Sequence, residues 1–429
     1  MLLSKFPNFY YGWVVVAVAI IAGAFTAGIS VWCAGTFLIP MTEAFSWTRT
    51  EYSLGLAIRA LSTAFVAPWI GPWFDKPNGP RTLMTISVSA MGLSMIGMGF
   101  IGDLFSFGIL SPLAQYYLLY GVIGGAAQMG AGMGLTQTVL PKWFIKKRGR
   151  VLGIAATGSA LAPLIFPPMV QFFSDEFGFR HTWVILGISL MVILVPLSRL
   201  VKTQPEDIGL LPDNNDPTTE EETSNSKVNI DDGVYTRSMA VRTKAFWLLA
   251  ASFAFISLGM AGYQVNWQPY FIDVGFSAST AAYAVSFYAI FSIASRLIWG
   301  FLGDQFHPRK LLVIGLLLIC SCVIFLQTVD SMTELIIFGI FQGLSIGSFI
   351  ILEPLLVARY FGRQNLGAIF GLMRPAMTLL GASSPLVVAA LYDFQGTYVL
   401  AFAVVAMSWF LAAILVGIAK EPKHKPEAL

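Results

Sequence analysis

The chain reads as a succession of apolar runs, each about as long as a bilayer demands. A helix needs roughly 20 mainly apolar residues to cross the hydrocarbon core. Such runs fall at 10–39, 51–72, 82–102, 113–138, 149–172 and 180–201. They resume at 245–271, 279–301, 310–328, 334–357, 365–391 and 396–419. Gly and Pro occur inside them, as membrane helices tolerate. Only 11% of the 429 residues are charged and 56% are hydrophobic. A soluble domain carries about 25% charged residues, so this chain lacks the polar groups to cover a water-facing surface. The expected fold is an all-α membrane protein with twelve transmembrane helices. The first run is too long for a signal-peptide core and lacks a small-residue cleavage site, so it is expected to stay as a helix.

One break differs from the others. Residues 203–243 include Pro212-Asp213-Asn214-Asn215-Asp216 and Glu220-Glu221-Glu222, polar and poor in aromatics. Such composition predicts a largely disordered linker, with a short interfacial helix over 235–244. It separates a six-helix bundle at 1–202 from a second at 244–429. Of the 26 lysines and arginines, 21 then fall in loops on one side and two, Arg49 and Arg180, on the other. Three, Arg59, Arg296 and Arg374, fall inside helices. The bias predicts that both termini and the linker are cytoplasmic. It also fixes the helix number, because dropping one helix would invert every later loop.

The two halves repeat each other. Gly71-Pro72-Trp73-Phe74-Asp75 after the second run matches Gly300-Phe301-Leu302-Gly303-Asp304 after the eighth. Gly149, Gly153, Asp175 and Gly178 correspond at one constant offset to Gly367, Gly371, Asp393 and Gly396. Parallel repeats predict two bundles related by a pseudo-twofold axis, rocking about a central site.

On these residues the chain resembles the major facilitator superfamily. Gly71, Asp75, Lys76, Gly79 and Arg81 resemble that family's loop between helices two and three, with an extra residue and Pro77 and Pro80 added. Gly300, Asp304, Arg309 and Lys310 form a weaker copy. Within the superfamily, the branch of monocarboxylate porters and oxalate:formate antiporters is similar at several places. These are Tyr11-Gly12-Trp13, the run 35–40 with 45–49, Trp143-Phe144 before Arg148-Gly149-Arg150, and the linker run 205–213. The resemblance implies an organic-anion carrier in which the helix-eight arginine, here Arg296, binds the substrate carboxylate. The lysine that oxalate-type members carry on helix eleven is matched by Met377.

An arginine inside the bilayer costs about 2.5–3.5 kcal/mol on insertion scales, which makes it a functional candidate by default. Arg296 can grip a carboxylate through two parallel hydrogen bonds. Arg374 is expected to reach the same cavity from a lower level, or to pair with Glu353. Arg59 is read as an outer-gate or snorkelling residue, with substrate contact as the alternative. Glu353 is a candidate proton carrier or inner-gate partner, and Asp75 and Asp304 are candidate gate residues. Trp32, Gln128, Tyr263, Asn266 and Gln342 lie at mid-helix depth; the first four complete the expected substrate site, against the alternative of ordinary interhelical packing.

Other classes of function are excluded or unsupported. His181, His307 and His424 fall in loops or the tail, which argues against an intramembrane histidine relay. Cys33, Cys320 and Cys322 lie in apolar runs without metal-ligand spacing, and no catalytic constellation or cofactor motif appears. The net charge of +3 is not gathered on a soluble domain, so nucleic acid is no partner. The reading is a secondary active transporter of small organic anions in the inner or plasma membrane. Proton-coupled symport of lactate-like or pyruvate-like monocarboxylates leads, with the proton and lipid bilayer as its other partners and a monomer as its working form. Exchange of organic anions or dicarboxylates is the alternative. A transporter-like membrane sensor is the alternative of another class.

Overall fold

The computed structural model describes residues 10–102, 110–214 and 235–422. Ten of its stretches are long and apolar enough to cross a membrane. One of these, Arg148–Ser198, is two helices in sequence, because Gly178 breaks it at φ 75° and ψ 159°. A Cβ is strained at such a positive φ, which is why glycine occupies the corner. The helix Ala278–Gln305 adds one more. The described residues thus hold twelve membrane-length helices.

In chain order these are α1 (Gly12–Phe45), α2 (Arg49–Ile70), α3 (Gly79–Gly99) and α4 (Pro112–Trp143). Next come α5 (148–177) and α6 (179–198). The second half holds α7 (Lys244–Asp273), α8 (Ala278–Gln305), α9 (Pro308–Leu326), α10 (Met332–Phe361), α11 (Leu366–Gln395) and α12 (Val399–Ile418). Their ends carry local signals. Thr48 and Glu51 form a reciprocal cap at the start of α2, and Ser331 and Glu334 do the same for α10. Such caps satisfy amide groups that the first helical turn leaves open. α1 runs past the expected end at 39 and through Pro40, to stop where Ser46 turns left-handed at φ 54°.

Small residues set the packing inside each half. Gly92 and Gly187 bring α3 against α6, and Phe37 stacks on Trp183 at 4.0 Å to tie α1 to α6. In the second half Gly262 N–H donates to Ser384 Oγ at 2.8 Å, joining α7 to α11. Without a hydrophobic drive between helices in lipid, close approach and hydrogen bonds of this kind hold the bundle.

The halves meet through α2 on α11 and through α5 on α8. The backbone of Gly149 lies against that of Gly300, and Gly71 against Gly367, so no Cβ fits between either pair. The chain from 203 to 214 docks on the face that carries residues 10 and 422. It forms short turns at Pro205–Ile208 and Pro212–Asn214, in place of the extended disorder that its composition predicts. Asp213 Oδ2 holds it by accepting Ile145 N–H at 2.8 Å and Lys146 N–H at 2.7 Å. Most of the expected disorder, at 215–234, lies outside the described residues. A one-turn helix at Arg237–Val241, capped by Thr236, falls within the 235–244 stretch.

Candidate functional site

Between the halves lies a cavity of 540 Å³, lined by α1, α4, α5, α7, α10 and α11. Its wall is mainly apolar, with few polar groups that converge. Gln128, Thr136 and Gln137 come from α4, Ser159 from α5, Glu353 from α10 and Arg374 from α11. α4 reaches the cavity through π-helical turns at Tyr117–Ile123, Met129–Met133 and Leu135–Val139. Each residue inserted by such a turn rotates the rest of the helix by about 100° around the axis, and these turns recur at functional sites. Gln137 sits within the last of them.

Arg374 Nη2 donates to Gln137 Oε1 at 2.5 Å, across the boundary between the halves. Glu353 is buried on the same cavity wall. Among the described residues it accepts no hydrogen bond and closes no ion pair with Arg374, although the two charges attract each other. Met377, the position matched to the oxalate-type lysine, also lines the cavity one turn beyond Arg374.

Arg296 is buried against α5 rather than open to the cavity. Its Nη1 donates to the Ala156 carbonyl at 2.5 Å and reaches Ser159 Oγ at 3.4 Å, while Nε has no partner among the described residues. Ala156 and Ser159 line the cavity, so Arg296 stands just behind the wall.

Arg59 departs from the expectation of a snorkelling residue. It is 3% exposed and fully engaged inside the first half. Nε donates to Gln128 Oε1 at 3.1 Å, Nη1 to the Tyr120 carbonyl at 3.1 Å and Nη2 to Ser30 Oγ at 2.7 Å. The guanidinium also lies 4.6 Å over the Tyr120 ring. Neutral acceptors and a ring face replace water, which removes any drive towards an interface. Its structural effect is to hold Gln128 at the cavity edge.

Three other expected site residues stand off the cavity. Tyr263 is buried in the second half, donating to Gln342 Oε1 at 3.2 Å and stacking on Trp267. Asn266 donates to the Gly262 carbonyl of its own helix at 2.7 Å. Trp32, in a π-helical turn of α1, is 38% exposed and is not part of the cavity lining. Mid-helix depth does not say which way a side chain points, and none of the three lines the cavity. The residues that sequence reading missed are Gln137 and Ser159. The run Thr136-Gln137-Thr138 inside an apolar helix is the available signal for the first.

Asp75 and Asp304 form matched contacts on the face of the termini. Asp304 Oδ1 accepts Gly149 N–H at 2.6 Å and Oδ2 accepts Arg150 N–H at 3.1 Å. Asp75 Oδ1 accepts Gly367 N–H at 3.2 Å and Oδ2 accepts Ala368 N–H at 2.9 Å. Each acid caps the first turn of a helix of the other half, where the helix dipole favours a negative charge. Lys142 closes the Asp75 contact with an ion pair at 2.7 Å. Arg363 spans the same face, donating to the Lys142 carbonyl at 3.1 Å and to Glu206 of the linker at 2.7 Å. Hydrogen bonds between the halves gather here and around Arg296 and Arg374, so this face is shut.

The histidines take no part in the cavity. His181 lies in the first turn of α6, bonded to the Phe177 carbonyl, and not in a loop. His307 caps α9, and burial holds its imidazole below the ordinary value with Arg359 adding to the effect. Its Nε2 lies 3.8 Å from a Glu421 carboxylate oxygen. His424 lies outside the described residues. No group of metal-ligating side chains occurs among the described residues.

Comparison with known proteins agrees with this architecture. The model of the Major Facilitator Superfamily matches residues 20–274 and 248–429. Monocarboxylate transporter 12 of Xenopus laevis is 26% identical over 339 residues, covering 74% of this chain and 72% of its own. Monocarboxylate transporter 11 of Mus musculus is 26% identical over 414 residues, covering 93% and 85%. Among solved structures, the proton:xylose symporter XylE bound to 6-bromo-6-deoxy-D-glucose superposes with a TM-score of 0.70 at 14% identity, covering 96% of each chain.

Proposed function

Because this chain belongs to the major facilitator superfamily, we propose that it moves small monocarboxylates of the lactate or pyruvate kind together with a proton. It is a multi-pass membrane transporter and not an enzyme. The observation that carries the proposal is one half-buried arginine, Arg374, and one buried acid, Glu353, as the two charged residues lining a mainly apolar cavity. The names of the relatives support the same substrate class.

The chemistry follows from those two groups. A guanidinium in a dry cavity binds a carboxylate through paired, charge-assisted hydrogen bonds. The apolar remainder of the ligand rests on Met260, Phe349 and Ile351. Glu353 takes up the proton, since an acid facing a cavity that alternates between sides can load on one and release on the other. Arg296 becomes the second arm when the halves move, because a carboxylate beside Ser159 replaces the Ala156 carbonyl and meets the unpaired Nε. Breaking the Asp75 and Asp304 contacts opens the face of the termini. The bias of Lys and Arg supports assigning that face to the cytoplasm of a cell bounded by the inner or plasma membrane. A single chain encloses the whole cavity, which supports action as a monomer.

Exchange of dicarboxylates would call for two guanidiniums that bind separate carboxylates in the same state. In this state Arg296 is folded onto α5 and Arg374 alone opens to the cavity, which favours a single carboxylate. The test is uptake of labelled lactate into proteoliposomes under an inward proton gradient. Uptake should rise with the gradient and vanish in Arg374→Gln. Uptake that ignores Arg374, or that needs internal anion and no gradient, overturns the proposal.

A further inference from the structure

The contact between Arg374 and Gln137 has a role of its own. Arg374 and Glu353 share one wall of a low-dielectric cavity, where opposite charges attract strongly. Freed of other partners, Arg374 is drawn towards Glu353. In the structure Arg374 instead points its Nη2 at Gln137 Oε1, and Glu353 keeps its carboxylate free of partners among the described residues. We infer that Gln137 is a positioning residue, which holds Arg374 off Glu353 and so leaves the acid free to bind and release a proton. The inference rests on Glu353 being the proton carrier of the proposed symport.

The residue type at 137 fits the task. A glutamine carbonyl accepts one strong bond from a guanidinium and leaves its positive charge intact for a carboxylate ligand. An acid there would neutralise the arginine, and an apolar residue would release it. Gln137 also belongs to the first half while Arg374 and Glu353 belong to the second. Parting of the halves on this side withdraws Gln137, and Arg374 is then drawn to Glu353. The pairing favours the ionised acid, so the same movement that opens the cavity discharges the proton.

The charged and titratable groups around Glu353 leave Arg374 as its partner. α10 packs against α5, α8, α9 and α11. α5 presents Leu152, Ala155, Ala156 and Ser159 to the cavity, none of them charged. On α8, Arg296 is bonded to α5 and the Tyr288 hydroxyl to Gln264; Cys322 on α9 is buried in the second half. Among the described residues, the charge that acts on Glu353 is that of Arg374, on α11.

The test reads Glu353 directly and needs no transported ligand. Difference infrared spectra of the purified protein, titrated with acid, contain a protonated-carboxyl band that Glu353→Gln identifies. In Gln137→Met that band should weaken at every pH where the unsubstituted protein shows it, because Arg374 is freed to pair with the acid. In Gln137→Met with Arg374→Gln the band should return, since no arginine remains to pair. A band unchanged by Gln137→Met in a folded protein overturns the inference, as does one that stays weak in the double variant. Lactate uptake by the same samples forms a separate arm. If the band responds as expected but the unsubstituted protein carries no lactate, the positioning role stands and the substrate reading falls. If lactate uptake is proton-driven, Gln137→Met should lose at least about tenfold of its gradient-driven rate; an unchanged rate overturns the inference.

Discussion

The carboxylate of Asp304 accepts the backbone N–H of Gly149 at 2.6 Å, so an acid of the second half caps a helix of the first. Asp75 does the reverse for α11. An acid at a partly buried helix start is worth up to about 2 kcal/mol. Asp304→Asn should therefore shift the balance towards a state open on the face of the termini, by roughly tenfold. Spin labels on the facing ends of α5 and α8 would report it as a longer inter-label distance. No change in that distance would remove Asp304 from the gate.

Gly153 makes a second, steric prediction. A Cβ there would collide with the carbonyl of Arg296. Gly153→Leu should wedge α5 from α8 and keep the face of the termini open. Labelling of cysteines placed on the cavity wall, by a reagent applied from that face, should rise. Binding of substrate from that face should survive while turnover falls at least about tenfold.

Arg374→Lys separates geometry from charge. Lysine keeps the positive charge but loses the planar fork that matches a carboxylate. The apparent affinity for a transported monocarboxylate should weaken by about tenfold, equivalent to roughly 1.4 kcal/mol. Concentration dependence of uptake checks it; an unchanged half-saturation value would move the anion site elsewhere.

Arg59 is expected to matter for folding more than for transport. Arg59→Met strips three acceptors of their donor, and an unsatisfied buried group costs on the order of 1–3 kcal/mol. The melting temperature in detergent should fall clearly, with affinity less affected than in Arg374→Lys. Stability equal to that of the unsubstituted protein would contradict the bonding to Gln128, Tyr120 and Ser30.

Trp32 and Gln128 give a paired control. Trp32→Ala should leave half-saturation of uptake within about twofold, since the ring is not part of the cavity wall. Gln128→Ala alters the cavity wall and unties Arg59, so it should raise that value. The opposite order would restore Trp32 to the site.

The helix plan is legible in the residues themselves because water and lipid sort them so strongly. Runs of apolar residues and the placement of Arg and Lys give twelve spans and two halves. Even the merged helix at Arg148–Ser198 divides at Gly178, close to the break read at 173–179. The inward faces are not legible in the same way. A membrane helix meets apolar surroundings whether it faces lipid or protein, so periodicity does not mark the side that lines a cavity. Tyr263, Asn266 and Trp32 have the right depth and do not line the cavity, whereas Gln137 is turned inward by π-helical turns that no spacing rule reveals. Charge is the more reliable guide. Glu353 and Arg374 both reach the cavity, and Arg296 reaches its wall.

The two capping acids bear on how such a gate can open at all. When the halves part on that side, Asp75, Asp304 and the amides they cap emerge together into water, not into lipid. Each bond lost is exchanged for hydration of the same groups, and the net value of a single hydrogen bond in such an exchange is only about 0.5–1.5 kcal/mol. Solvent is thus a reactant in the opening step. Osmotic stress or strongly hydrated salts, which lower water activity, should hold this face shut without touching the cavity.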